Sequence, residues 1–335
     1  MLNPADRPAP APPTRRTIVP RALLALLVAA AMLVVGCGTE DDPTTSPEDE
    51  EPVGACEGDV EGVDVSGQPG AQPTLDFDAP LSVDRTQCAM LTEGSGEGAA
   101  DGDTLLLDFL YVNGRTGEVY GTTYDEPGPI GVVVNDELLR GVRTALTGAK
   151  AGGRVLSVIA PDDAFGLRDG DPAAGLEKDD TLLFVADVTA VNPRAEGVAV
   201  APVAGLPTVE LAEDGAPTIH LPGGDPPTEL VAQVLIEGTG EAVQAGQQVT
   251  AHYTGILWGT GQEFDSTWGN TPINLPMRSP DVISGWVTGL VGQRVGSQVL
   301  LIVPPAAGYG EDGAPSSGIG PTDTLVFVVD ILYVT

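Results

Sequence analysis

An internal repeat with a nearly constant offset of 144 residues limits the folds open to this chain. At this offset Phe109 aligns with Tyr253, and Tyr120 aligns with Phe264. Near the end, DTLLFVADV at 180–188 aligns with DTLVFVVDI at an offset of 143 residues. Each copy has the length of one domain with a single core. The sequence therefore predicts two tandem copies of one small domain.

The second copy shows the pattern of an antiparallel α+β domain. The segment VTAHYTGIL (249–257) alternates as a half-buried strand does, so Tyr253 is expected to point inward and His252 outward to solvent. Apolar residues recur at helical spacing between 281 and 292, which predicts one short helix. Several strands and one helix predict an α+β fold, with further strands at two β-branched runs, 297–303 and 324–334.

Short alternating segments also precede each copy. They are PTLDFDAPLSV at 73–83 and PTVELAEDGAPTIHLP at 207–222, and their alternation predicts added strands. A linker between the copies is predicted instead at 194–205, which is rich in Pro, Gly and Ala.

The chain carries little of the chemistry that nucleophilic or metal-dependent enzymes need. It has two histidines, His220 and His252, and no GxSxG, P-loop or HExxH motif. No metal and no cofactor are predicted on these grounds. The formal net charge of −33 argues against nucleic acid as a partner.

Four segments of the second copy resemble the FKBP-type peptidyl-prolyl cis-trans isomerases in order and nearly in spacing. They are AHYTGILWGTGQEFDSTW (251–268), DVISGWVTGLVGQRVGSQVLLIVPP (281–305), GYGEDGAP (308–315) and DTLVFVVDIL (323–332). The resemblance implies two tandem FKBP-like domains, each an antiparallel β-sheet that forms a half-barrel wrapped on one short α-helix. It also implies isomerase activity on proline-containing polypeptides and binding of rapamycin-like macrocycles. Such activity needs no nucleophile, because the rotation barrier of about 18–20 kcal/mol comes from amide resonance, which weakens when the bond is twisted in an apolar pocket.

The same resemblance implies a role for individual residues. Trp286 would form the floor beneath the proline ring, and the amide of Ile283 would donate a hydrogen bond to the substrate carbonyl. Asp265 matches a buried carboxylate near the twisted carbonyl, and Tyr309 would supply a hydroxyl. The implied catalytic pocket comprises Tyr253, Phe264, Asp265, Val282, Ile283, Trp286, Tyr309 and Phe327, with Ile273 and Ile319 as further substrate-binding residues. Several of these apolar residues, taken alone, would equally fit the core of any small α+β domain.

Two departures from the family pattern bear on activity. An arginine that pairs with the carboxylate is absent a few residues after Asp265, where 268–271 reads WGNT. In the first copy Gly121, Val142 and Phe165 stand where the second copy has Asp265, Trp286 and Tyr309. The first copy is therefore predicted to be catalytically weak or inactive.

The N-terminal segment predicts export and lipidation. Arg15, Arg16 and Arg21 precede an uncharged apolar run at 22–35, which is the pattern of a signal peptide and is short for a transmembrane helix. The run ends in VVGC, which resembles the bacterial lipobox and implies that Cys37 becomes the lipid-bearing first residue. An ordinary secretory signal cleaved nearby is the alternative.

Two further cysteines, Cys56 and Cys88, form an even pair once Cys37 is set aside. In an exported chain such a pair predicts a disulfide. The segment that follows Cys37 is acidic and rich in Pro and Thr without an apolar period, which predicts a disordered tether.

These predictions give a full order along the chain. It is a lipoprotein signal peptide at 1–36, a disordered acidic tether at 37–57, a degenerate FKBP-like domain at 58–193, a linker at 194–205 and an FKBP-type isomerase domain at 206–335. The expected protein is a monomer, held at the outer face of the cell membrane by its N-terminal lipid, that assists the folding of exported proteins. A non-catalytic peptide-binding or holdase lipoprotein that uses the same groove is the alternative.

Overall fold

The structure is a computed structural model that describes residues 56, 58, 60–166, 170–172 and 175–335. The predicted signal peptide, the predicted lipidation site at Cys37 and nearly all of the predicted tether lie outside the described residues. Within the part of the chain that is described, none of the helices combines the length and the apolar character that a bilayer-spanning helix requires.

The first copy forms an antiparallel sheet that packs on one short helix. Its elements are β1 (Val63–Ser66), β2 (Thr74–Phe77), β3 (Gln87–Thr92), β4 (Thr104–Asn113), β5 (Val119–Thr122), β6 (Ile130–Val133), α1 (Arg140–Leu146), β7 (Arg154–Ile159) and β8 (Leu182–Val191). The main sheet has the strand order β3-β7-β8-β4-β5, and β6 also pairs with β4. The strands β1 and β2 form a separate two-stranded sheet.

The second copy repeats this topology. Its elements are β9 (Gly197–Ala199), β10 (Thr208–Leu211), β11 (Pro217–His220), β12 (Val231–Gly238), β13 (Gln248–Leu257), β14 (Glu263–Ser266), β15 (Ile273–Pro276), α2 (Ser284–Leu290), β16 (Gln298–Val303) and β17 (Leu325–Val334). The sheet order is β14-β13-β17-β16-β12-β9, with β15 on β13, while β10 and β11 form a separate pair. The prediction of two antiparallel α+β units, each with one short helix, is confirmed.

Glycines allow each helix to lie close to its sheet. A Cβ on Gly285 would stand 2.6 Å from Cγ1 of Val303, and one on Gly289 would stand 2.4 Å from Cδ2 of Leu301. In the first copy, a Cβ on Gly141 would likewise stand 2.3 Å from Cγ2 of Ile159. Contacts this short would push the helix away from the sheet, so the repeated glycine at positions 141 and 285 has a packing reason.

The hairpins that precede each copy cover the outer faces of the sheets. Val209 and Ile219 of β10 and β11 pack on a buried cluster that includes Leu300 and Val328. Strands β1 and β2 cover the first sheet in the same way. The prediction of added strands in these segments is confirmed, and each sheet is therefore buried on both faces.

The expectation that His252 is exposed to solvent is wrong, because Trp268 covers it on the outer face of the sheet. His252 is 3% exposed, and its imidazole stacks on Trp268 with ring centroids 4.7 Å apart. Its Nδ1 lies 2.9 Å from the hydroxyl of Thr267. Burial lowers the pKa of His252 to about 4, so the ring is neutral at physiological pH. Alternation placed His252 on the outer face correctly, but it could not reveal that this face is covered.

The predicted linker at 194–205 also differs from the structure. It contains β9, whose residues pair with Ile236, Glu237 and Gly238 at the edge of the second sheet. A Cβ on Gly197 would stand 2.0 Å from the carbonyl oxygen of Glu237, so only glycine fits this strand position. Composition suggested a spacer because Gly and Ala are poor strand formers, yet close pairing with β12 needs a glycine here.

A disulfide joins Cys56 to Cys88 of β3, with the two Cα atoms 5.3 Å apart. Cys56 is buried against the core of the first copy. The bond therefore fixes the entry of the chain into the first domain.

Candidate active site

A cleft of about 750 Å³ opens beside α2 in the second copy. Its walls come from β13, β14, β15 and β17, from the turn before α2 and from the loop that follows β16. Its lining residues are Tyr253, Phe264, Asp265, Ile273, Leu275, Ser279, Pro280, Asp281, Val282, Ile283, Ser284, Trp286, Gly308, Tyr309, Asp312 and Phe327. The site is thus built on rigid sheet and helix and completed by two loops.

Aromatic rings form the inner part of the cleft. Trp286 is 3% exposed, and its ring meets Tyr253 at 5.2 Å and 87° and Phe327 at 5.3 Å and 82°. Phe264 meets Phe327 at 5.6 Å and 89°. These edge-to-face contacts hold the rings in fixed orientations, so they present a rigid apolar surface rather than one that collapses.

Two of these rings lie close to the backbone of β13 at Gly255. A Cβ on Gly255 would stand 2.7 Å from Cζ of Phe264 and 3.0 Å from Cδ1 of Phe327. Any larger residue would have to displace one of the two rings. Alternation places Gly255 on the inward face of the strand with Tyr253, but it does not show that the missing side chain makes room for the rings of Phe264 and Phe327.

One hydroxyl–carboxylate pair and one free hydroxyl supply the polar groups. The hydroxyl of Tyr253 donates a hydrogen bond to Oδ2 of Asp265. Burial raises the pKa of Tyr253, and the carboxylate it contacts raises it further. Burial and the charge of Asp265 also raise the pKa of Tyr309, whose side chain is 42% exposed. Both tyrosines therefore remain protonated hydrogen-bond donors at neutral pH.

The structure places Asp265 differently from the buried carboxylate that the resemblance implied. Asp265 is an exposed residue within β14, and Tyr253 is its hydrogen-bond partner. The segment that lacks the family's arginine turns away from the cleft, because Trp268 packs on His252 on the other face of β13. A tyrosine hydroxyl thus orients the carboxylate here, and the charge of Asp265 is not neutralised by a cation of the cleft.

The turn before α2 presents backbone to the cleft. Ile283 precedes the helix with extended backbone angles, φ −56° and ψ 142°, and the first amides of a helix have no intrahelical acceptor. Within the described residues, the Ile283 N–H has no protein acceptor. Ile283 and Val282 are both half-buried and line the cleft. This geometry suits the donor role that the resemblance implied for the Ile283 amide.

The cleft brings together nearly all residues that the sequence singled out. Eight of these line it as the implied catalytic pocket, and Ile273 lines it as a substrate-binding residue. Ile319 does not, because it is 2% exposed and packs in the core beneath the aromatic rings. Sequence reasoning missed Leu275, Ser279, Pro280, Asp281, Ser284, Gly308 and Asp312, most of which lie in turns or loops without a periodic pattern.

In the first copy the corresponding space is filled. Tyr111 occupies the position of Gly255, since it pairs with Phe184 and Gly121 as Gly255 pairs with Phe327 and Asp265. Its ring is 7% exposed and has its centroid 4.9 Å from those of Phe109 and Phe184. The first copy therefore has a buried tyrosine ring where the second copy has a glycine without a side chain. The sequence comparison that predicted an inactive copy did not include this position.

Fold and cleft together are those expected of a peptidyl-prolyl isomerase domain: an antiparallel sheet on one short helix, with an aromatic cleft beside the helix. Comparison with known proteins agrees. The model of the family described as FKBP-type peptidyl-prolyl cis-trans isomerase matches residues 239–332. The chain belongs to the FKBP-type peptidyl-prolyl cis-trans isomerase family and is an enzyme of that class.

Relatives from two actinobacteria are among the most similar curated proteins. An FK506-binding protein of Streptomyces anulatus is 42% identical over 119 residues, which are 35% of this chain and 96% of the relative. A probable FK506-binding protein of Corynebacterium glutamicum is 40% identical over 120 residues, with the same two coverages of 35% and 96%. The crystal structure of FkpA from Escherichia coli is 34% identical and covers 40% of this chain and 54% of that chain, with a TM-score of 0.30.

Proposed function

We propose that the second copy isomerises X-Pro bonds in exported polypeptides at the outer face of the cell membrane, and that the first copy does not catalyse. The observation that carries the catalytic part is the cleft lined by Trp286, Tyr253, Phe264 and Phe327. Uncatalysed X-Pro isomerisation takes on the order of 10–100 s and limits the folding of many proteins. An enzyme without cofactor or nucleotide suits a compartment that lacks ATP.

The geometry supports catalysis by desolvation and fixed hydrogen bonds. A proline ring seated on Trp286 would bring its preceding amide into an apolar pocket, where the planar, charge-separated resonance form is less stabilised than in water. The N–H of Ile283 would hold the carbonyl on one side of the rotating bond, while the Tyr309 hydroxyl would stabilise the other. Binding that favours the twisted geometry over both planar forms lowers the barrier.

The proposed location draws on the N-terminal sequence and on the disulfide. The basic segment, the apolar run and the VVGC ending support export and lipidation at Cys37. The Cys56–Cys88 disulfide supports an oxidising compartment, because such bonds persist outside the cytoplasm. A Cys37→Ser chain expressed in an actinobacterial host should move from the membrane fraction to the soluble exported fraction. Membrane retention of this variant would refute the lipid anchor.

We also propose that the protein acts as a monomer and that rapamycin-like macrocycles would occupy the same cleft. The cleft offers such a ligand the aromatic surface formed by Trp286, Tyr253 and Phe327. The exposed carboxylate of Asp265 differs from the arginine-paired one that the resemblance implied, so peptide and macrocycle affinities need not follow those of relatives.

The activity is tested with NMR exchange spectroscopy of X-Pro peptides in the presence of the purified chain. Trp286→Ala should abolish acceleration, whereas Val142→Ala, at the matching helix position of the first copy, should retain it. Circular dichroism of each variant checks that the fold persists. If the native chain does not accelerate exchange but prevents aggregation of unfolded proteins, the holdase alternative holds instead.

A further inference from the structure

The charged residues that line the cleft are all acidic. Its lining includes three carboxylates, Asp265, Asp281 and Asp312, and no lysine, arginine or histidine. All three aspartates are exposed to solvent. The apolar centre and the acidic rim therefore present different chemistry to a bound chain.

Neighbouring side chains of the same domain neutralise little of this negative charge. Asp281 forms an ion pair with Arg278, whose side chain is 69% exposed. Asp265 accepts a hydrogen bond from the neutral hydroxyl of Tyr253, which leaves its charge in place. Within the described residues, Asp312 has no ion-pair partner. At least two uncompensated carboxylates thus remain around the aromatic centre.

The charge of the rim reaches the groups that surround a bound proline. Asp265 contacts Tyr253 in the aromatic wall, and its charge contributes to the raised pKa of Tyr309 on the loop after β16. Asp281 precedes Val282 and Ile283, the residues that would flank the substrate carbonyl. The substrate residues before and after a bound proline extend from the apolar centre of the cleft past these carboxylates.

We propose that the cleft prefers prolines flanked by a lysine or arginine, in segments of exported polypeptide that are basic next to the proline. The proposal rests on the isomerase function proposed above. Opposite charges at an exposed rim attract weakly but over several ångströms, because screening at 0.1 M salt extends over about 10 Å. Acidic flanking residues would meet repulsion from the same carboxylates, so the rim discriminates in both directions.

The test compares peptides that differ in charge alone. Xaa-Pro and Pro-Xaa peptides would carry Lys, Nε-acetyl-lysine or Glu next to the proline, and the full chain would be assayed for kcat/KM by NMR exchange. At low salt the ratio of Lys to acetyl-lysine should be about threefold to tenfold in at least one position, as expected for a pair of charges near a surface. The ratio should approach one in 0.5 M salt.

Substitutions of the charged residues at the cleft should change the Lys to acetyl-lysine ratio in opposite directions. Asp312→Asn and Asp281→Asn should lower the Lys to acetyl-lysine ratio, whereas Arg278→Gln should raise it by removing the one competing cation. Asp225→Asn removes an exposed carboxylate outside the cleft lining and should leave the ratio unchanged. Each ratio is taken within one variant, so a general loss of activity cancels.

The possible results distinguish a failure of the charge preference from a failure of the proposed isomerase function. A native chain that accelerates a Leu-Pro peptide but gives a Lys to acetyl-lysine ratio of one in both positions overturns the charge preference alone. A ratio that does not respond to salt or to the rim variants also overturns it. A chain that accelerates none of the peptides overturns both the isomerase and its specificity.

Discussion

At the scale of single residues, position 255 and its counterpart 111 are one of the differences between the two copies. Gly255 in β13 leaves room between Phe264 and Phe327, and Tyr111 at the matching place in β4 fills it. The floor of the cleft differs as well, because the first copy has Val142 where the second has Trp286. These are differences of side chain within the same strands and helix, so the two copies can differ in their pocket without a change of fold.

Introducing the tyrosine into the second copy should close its pocket. The fold of Gly255→Tyr is checked first, because the first copy accommodates this ring in a core that has Val142 where the second copy has the larger Trp286. Its kcat/KM should fall by about tenfold to a hundredfold, which is the effect of losing burial for one apolar side chain. Isomerase assays with circular dichroism measure both effects.

Gly259→Ala is the matched control for this change. A Cβ at position 259 would meet no atom within 4 Å, so the isomerase activity of the Gly259→Ala variant should equal that of the native chain. Full activity in Gly255→Tyr would mean that the proline ring binds elsewhere.

At the scale of strands and helices, alternation and helical spacing in the sequence predicted much, because each reports which face of an element is apolar. The inward Tyr253 and the helix that carries Trp286 followed directly from these periods. Periodicity does not report what covers the other face, so His252 was misassigned. Turn residues such as Asp281 and Asp312 have no period, and only tertiary structure brings them to the cleft.

Burial of His252 on the outer face of the sheet makes the stability of the second copy depend on pH. The pKa of His252 is lowered by burial to about 4, so below its unfolded value of about 6.5 the unfolded chain binds a proton that the folded chain does not. This stability contribution is complete above pH 6.5 and is lost as the pH falls towards 4. The His252→Gln variant has no imidazole to protonate, so it does not lose this contribution. Between pH 6.5 and 4 its free energy of unfolding should therefore rise by up to about 3 kcal/mol relative to that of the native chain.

Thermal unfolding of both chains across this pH range measures the effect. The neighbouring Asp330 works in the opposite direction, because burial raises its pKa to about 6 and the folded chain takes up its proton first. Asp330 is present in both chains, so it cancels in the comparison. Melting curves that stay parallel from pH 6.5 to 4 would show that His252 is not buried as a neutral ring.

At the scale of the whole molecule, two units with the same sheet order carry different parts of the chemistry. The second has the open cleft, whereas the first has the filled pocket and the Cys56–Cys88 disulfide. The 144-residue offset in the sequence predicted the duplication, because insertions between equivalent elements are few. Which copy would be open depended on ring packing, which an alignment of the two copies does not display.

Removing the disulfide should affect the first unit and spare catalysis. Cys88→Ser should lower the unfolding free energy of the first unit by about 2–4 kcal/mol, the usual effect of a disulfide on the unfolded chain. The rate of X-Pro exchange below the melting transition should be unchanged. Calorimetry and isomerase assays on one sample measure the two properties, and a parallel loss of activity would contradict the separation of roles.

The most direct test of the account is a titration of the isotope-labelled full chain with an X-Pro peptide, followed by NMR at residue resolution. We expect shifts at the Trp286 indole, at Gly255 and at the Ile283 amide, with none at Tyr111 and its neighbours. This result would place the proline in the open cleft of the second copy alone. Shifts around Tyr111, or a folded second copy whose cleft does not respond, would contradict the central claim.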